Sequence, residues 1–136
     1  MAALKFGVIR QSVTVDAAPA EVYEAYVDAK KHSEFTGSTA AGAAKEGGSF
    51  SAWDGYITGR FLKLDKGRKV VQEWRTTEWP EGYPPSVLEL TFSKKGAKTE
   101  LRMVHSKVPA EQVERYREGW VDSYWNPLKE YFKRKG

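Results

Sequence analysis

Apolar side chains recur along this chain with two different periods, and the change of period divides it. From Phe6 to Asp16 the period is two: Ile9, Val13 and Val15 alternate with Arg10, Ser12 and Thr14, as in a strand with one dry face. The pattern breaks at Asp16-Ala17-Ala18-Pro19. A short helix over 20–28 follows, with Val22, Tyr23, Tyr26 and Val27 on one side and Pro19 in its first turn. A second short helix is expected over about 29–35, ending near Phe35-Thr36-Gly37.

Beyond Gly37 the period of two returns in short runs separated by turn residues. Ser38 to Ala44 is a weak strand or loop, Ser49 to Trp53 alternates, and Asp54-Gly55 is a two-residue turn needing positive φ. Strands are expected over 56–64, 68–76, 87–93 and 99–106, with turns at Asp65-Lys66-Gly67 and Lys95-Gly96 and a Pro-rich connection over 79–85. Val70, Gln72 and Trp74 fall on one face of their strand, Leu88, Leu90 and Phe92 on one face of theirs, and Leu101, Met103 and His105 on one face of the last. Glu73, Glu89 and Glu100 fall on the opposite faces, as solvated carboxylates.

The last thirty residues switch to a period of three and four. Val113, Tyr116, Trp120, Tyr124, Leu128 and Tyr131 form the stripe of an amphipathic helix, widened by Val121, Trp125 and Phe132. Pro109 is placed to open it. A helix over 109–133 would be about 37 Å long, against about 26 Å for an eight-residue strand, so it can cover a whole sheet. Gly119 costs about 1 kcal/mol against Ala in a helix interior. It is either a weak point on a surface turn or a place where a missing side chain permits close approach or bending. Pro127 is expected to kink or split the helix.

Tight turns between successive strands imply an antiparallel meander with one dry face, and the final helix is the element able to cover it. The expectation is a single α+β domain over 1–136: a curved antiparallel sheet of about six to seven strands wrapped around a long C-terminal helix, with two short helices after the first strand.

Composition changes this picture only by exclusion. With 136 residues and no cysteine, neither disulfides nor thiolate chemistry enter. The N-terminal residues lack the apolar core of a signal peptide and no run is long enough for a membrane span, so a soluble, cytoplasmic protein is expected. Net charge is +4. Lys133-Arg134-Lys135 reads as a solvated tail, and the aromatics fall at core spacing rather than between basic residues, which argues against nucleic-acid binding. Gly47-Gly48 and Gly55…Gly59 lack the Gly-Lys-Ser/Thr of a phosphate loop. Two distant histidines offer no metal-ligand spacing, and no cofactor is expected. His32, in a short polar helix, is expected to be solvated. His105 points inward, as a core histidine satisfied by one hydrogen bond or, if the chain is an enzyme, as its catalytic base.

Several runs carry a family likeness. Glu46-Gly-Gly-Ser-Phe50, Gly55-Tyr-Ile-Thr-Gly59 and Val70-Val-Gln-Glu-Trp-Arg75, followed by His105-Ser-Lys-Val-Pro109 and Gly119-Trp-Val-Asp-Ser-Tyr-Trp-Asn-Pro-Leu128, resemble the START-like (SRPBCC) superfamily. The fold this implies is the helix-grip, birch-pollen-allergen-like one. Within it they are similar to the branch named for homologues of the activator of the heat-shock protein 90 ATPase, and there to the C-terminal domain. The Asn/Trp/His-rich motif of those activators' N-terminal domain is absent from this chain.

The likeness implies a cavity between sheet and helix for a small apolar or amphipathic, lipid-like ligand. Phe35, Phe50, Gln72, Trp74, Leu90, Phe92, Met103, His105, Trp120 and Tyr124 are the lining expected from their facing. It also implies, as an alternative, a co-chaperone-type interaction module in the stress response, with a heat-shock chaperone as partner. A cyclase or hydrolase-type enzyme using His105 is the third reading. Monomer and homodimer are both compatible with these readings.

Overall fold

A computed structural model describes residues 4–135 and shows the expected α+β helix-grip architecture. The elements are β1 (Phe6–Val15), α1 (Pro19–Val27), α2 (Ala29–Thr36), β2 (Ala41–Gly42), β3 (Ser49–Ala52), β4 (Ile57–Asp65), β5 (Lys69–Thr76), β6 (Ser86–Lys95), β7 (Lys98–Pro109), α3 (Val113–Trp120) and α4 (Asn126–Lys135). A single 3₁₀ turn (Ala110–Gln112) leads into α3, and a π turn (Val121–Trp125) joins α3 to α4. The side chains of Arg134 and Lys135, expected to form a basic tail, lie outside the described residues.

One antiparallel sheet runs in the order β1-β7-β6-β5-β4-β3-β2. Turns and one Pro-rich connection between β5 and β6 make β2 to β7 a meander, and β1 closes onto the last strand with Phe6 opposite Pro109 and Val15 opposite Thr99. Register shifts in β1 between Gly7 and Ile9, and in β4 between Phe61 and Lys63, are bulges that bend the sheet. Gly59 is required in β4: a Cβ there would meet the Glu73 carbonyl oxygen and the Phe50 ring at impossible distances. The dry face carries Val70, Gln72, Trp74, Leu88, Leu90, Phe92, Leu101, Met103 and His105, all buried. Glu73, Glu89 and Glu100 lie on the other face, paired with Arg60, Lys69 and Arg102.

Two expectations about the final helix change. Pro109 does not open it: Pro109 is the last residue of β7, and the Ala110 N–H still reaches the Lys5 carbonyl at 2.9 Å. Pro127 follows a split in the regular α-helix, but helical backbone continues through it: α3 stops at Trp120, a π turn follows, and α4 resumes at Asn126. A proline ring clashes with the carbonyl four residues back, here that of Ser123, and the π turn widens the ladder at that place. Asn126 N–H bonds to Val121 O, five residues back. Val121, expected on the buried stripe, is exposed, while Trp125 beyond the extra residue of the turn is buried.

The helix does not lie centrally over the sheet; β1 holds it. Gly7 lets it start close, since a Cβ there would stand 2.6 Å from Val113 Cγ2. Gln11 then grips both sides of the π turn. Its Nε2 donates to Arg117 O at 2.9 Å, and its Oε1 accepts from the Trp125 indole at 2.7 Å. Sequence reading had not singled out Gln11, although it shares the dry face with Ile9, Val13 and Val15. Replacing Gln11 with Leu leaves an indole N–H and a carbonyl unpaired, for an expected loss of about 1–3 kcal/mol. Urea unfolding with an unchanged m-value would register it; wild-type stability would show that the grip contributes nothing.

Candidate functional site

Because α3 is held at the β1 side, the space under it widens toward β3, β4 and β5. There it leaves a cleft of about 400 Å³ lined by Trp53, Tyr56, Ile57, Trp74, Arg115, Tyr116, Gly119, Trp120, Ser123 and Tyr124. Six of these are aromatic. Trp120 stacks on Trp125 with centroids 5.2 Å apart and contacts Tyr124 at 4.7 Å; Trp74 stands edge-on to Tyr116 at 5.1 Å.

The rim is polar and internally paired. Tyr56 O–H donates to Glu78 Oε1, and Arg115 Nη1 meets Glu78 Oε2 at 3.3 Å. Burial, and then the bond to the carboxylate, push the Tyr56 hydroxyl up to about 12. Thr76 Oγ1 and Tyr116 OH share a hydrogen bond of 2.7 Å.

Of the expected lining, Trp74, Trp120 and Tyr124 face this cleft. The other seven positions do not, because the space beneath the middle of the helix is filled. Phe35 packs on Tyr124 and Tyr131, Phe50 on Phe61, and Phe92 on Tyr23. Leu90 and Met103 are fully buried. Gln72 accepts from Tyr26 O–H at 2.8 Å, and its buried Nε2 has no partner among the described residues. Trp53, Tyr56, Ile57, Arg115, Tyr116, Gly119 and Ser123 were missed. The Trp53-Asp54-Gly55 turn was the available signal. Trp53 and Asp54 both have φ of 54°, so the turn is longer than two residues and folds the Trp53 ring back toward the helix.

His105 is held by a network that fixes its chemistry. An indole only donates, so Trp120 Nε1–H gives its proton to His105 Nδ1, at 3.1 Å. Ser86 Oγ–H donates to Trp74 O at 2.6 Å, so His105 Nε2–H donates to Ser86 Oγ at 2.7 Å. The lone pair that a general base would use is therefore occupied, and the serine proton points away from the imidazole. This corrects the reading of His105 as a catalytic base: Ser86 and His105 form no nucleophile–base pair. Burial lowers its pKa to about 3.

His32 is not solvated as expected. Its Nδ1–H donates to Tyr26 O at 2.8 Å and its Nε2 accepts from Tyr124 O–H at 2.9 Å. Burial lowers its pKa as well, partly offset by the bond to the backbone, and raises that of Tyr124. Trp53 Nε1 lies beside that hydroxyl but outside hydrogen-bonding geometry.

No group of three or more His, Asp or Glu side chains converges as a metal site among the described residues. A second groove, of about 520 Å³ between Asp16, Lys98, Lys129 and Glu130, is charged, with Lys98 and Asp16 paired at 3.3 Å. No helix among the described residues is long and apolar enough to cross a membrane.

A START-like fold with an aromatic cleft beneath its last helix defines the class. Within that class, the model of the activator of Hsp90 ATPase homologue 1-like proteins matches residues 16–133, and the chain belongs to that family. It is 36% identical over 114 residues to the mouse activator of 90 kDa heat shock protein ATPase homologue 1, covering 84% of this chain and 33% of that protein. The chain thus spans about a third of the length of that relative. An HSP90 activator from Plasmodium falciparum superposes with a TM-score of 0.84 at 26% identity, over 91% of this chain and 94% of the other. The Aha1 dimer from Colwellia psychrerythraea, at 15% identity and TM-score 0.73 over 90% and 96% of the two chains, shares the fold.

Both histidines carry a pH signature. Each binds a proton more readily in the unfolded chain, whose histidines have a pKa near 6.5. Their contribution to stability is complete above that pH and is lost as pH falls below it, for His105 down to about 3. For His105 the slope approaches about 1.4 kcal/mol per pH unit below the unfolded value, and His32 adds to it in the same direction. Denaturant titrations between pH 7.5 and 5 check this. His105→Gln should flatten the slope, and an unchanged slope would mean that His105 protonates freely in the fold.

Proposed function

We propose that this domain acts in the cytoplasm, in the stress response, as a co-chaperone module that binds an HSP90-type chaperone. The likeness to the Plasmodium falciparum HSP90 activator carries this reading, because the matched region is nearly the whole of both chains. A domain of this size therefore bears that name in a related protein. Mixing the domain with an HSP90-type chaperone and following ATP turnover and co-sedimentation tests it. Retention with altered turnover is expected; neither retention nor any change in turnover excludes the reading.

A second reading rests on the cleft itself. Concave, mostly apolar space with a few polar groups at the rim is the common form of a small-molecule site, and the six aromatic rings here suit an apolar guest. Trp53→Gly tests it, since glycine tolerates the positive φ at that position. The variant should melt lower than wild type, because Trp53 packs on the core, yet remain folded and bind a neutral fluorescent probe, N-phenylnaphthylamine, roughly tenfold more weakly. Equal affinity in the folded variant removes the cleft as the binding site.

A further inference from the structure

Three locally unfavourable features meet at one place. Trp53 holds φ of 54°, which a bulky residue rarely adopts. Gly119 sits inside a helix, where it costs about 1 kcal/mol against Ala. The π turn Val121–Trp125 replaces regular helix directly after it and brings Ser123 and Tyr124 to the same space. Departures of this kind concentrate at functional sites.

Gly119 is the most telling of the three. Packing does not require a glycine there: a Cβ built on it meets nothing within 4 Å, and its φ is not positive. The only thing its missing side chain leaves is room in the cleft. The neighbouring walls are ring faces and edges. Arg115, the sole charged residue among the lining, is engaged by Glu78, whose other oxygen takes the Tyr56 hydroxyl. The rim therefore carries little free charge to attract an ion.

We propose that Gly119 sets the size limit of the cleft, and that the molecule it admits is a neutral, flat-faced aromatic compound lying against the bare helix backbone. This rests on the reading of the cleft as a ligand site. A side chain at 119 occupies the guest's volume without disturbing the fold, so affinity and stability move independently.

The experiment compares wild type, Gly119→Ala and Gly119→Leu in melting temperature and in affinity for N-phenylnaphthylamine, with the anionic anilinonaphthalene sulfonate as a charged counterpart. Gly119→Ala should melt higher than wild type, and Gly119→Leu should melt no lower while binding the neutral probe roughly tenfold more weakly. Val121→Leu, exposed on the same helix and outside the cleft, should bind as wild type does. If wild type binds the neutral probe and Gly119→Leu binds it equally well, position 119 does not limit the site, although the cleft reading stands. Tighter binding of the anionic probe overturns the assignment of a neutral guest. If wild type binds neither probe, the cleft reading falls and this inference with it.

Discussion

The C-terminal helix is tied to β1 by one side chain from the opposite end of the chain. Gln11 accepts a hydrogen bond from the Trp125 indole and donates one to the Arg117 carbonyl. An amide has one donor end and one acceptor end, so it bridges two points on the helix with neither left unmatched. Its two contacts straddle the π turn, where the regular ladder is interrupted: Val121 N–H goes to Glu118 O, three residues back, and Asn126 N–H goes to Val121 O, five back. A carbonyl that the altered ladder leaves short of a partner is satisfied by β1. On the opposite flank Tyr116 bonds to Thr76 and Gln112 to the Glu78 carbonyl, and the cleft lies between these anchors and Trp53.

The interior beneath the helix is rich in polar atoms, and most of them are paired, with Gln72 Nε2 and the Trp53 and Trp74 indole nitrogens as exceptions among the described residues. His105, Ser86, Trp74 and Trp120 form one chain of donors and acceptors; His32, Tyr26, Tyr124 and Gln72 form another. Buried amides and imidazoles cost stability unless paired, and once paired they specify a single arrangement of the aromatic rings around them. A serine and a histidine at 2.7 Å look catalytic by distance alone. The direction of the protons decides otherwise, and it follows from the fact that an indole cannot accept.

This division of labour leaves an open cleft beside a core that is otherwise packed. The helix-grip architecture requires only a dry sheet face and a helix long enough to cover it, and function is set by what is left at the edges of that contact. Here the centre is packed by Phe35, Phe92, Leu90 and Met103, and the aromatic cleft lies at the β3–β5 side. Among the described residues, the cleft does not extend beneath the middle of the helix, where these side chains pack.

Periodicity alone determined most of the architecture. The alternation in β1 and β4 to β7, the turn residues between them and the three-and-four stripe after Val113 are local properties, set by which faces must avoid water. The family likeness was legible too, since it lies in the order of short motifs. What the sequence could not decide was the site. Whether Phe50 or Tyr56 reaches the cleft depends on sheet curvature and on how far the helix leans, and both arise from contacts between residues a hundred positions apart, such as Gln11 with Arg117 and Trp125. His32 misled for the same reason: a polar helix of eight residues suggests solvent, yet the partner that buries this histidine, Tyr124, lies ninety-two residues away. Local pattern settles which face turns inward; only the assembled packing settles which inward-facing atoms meet a void.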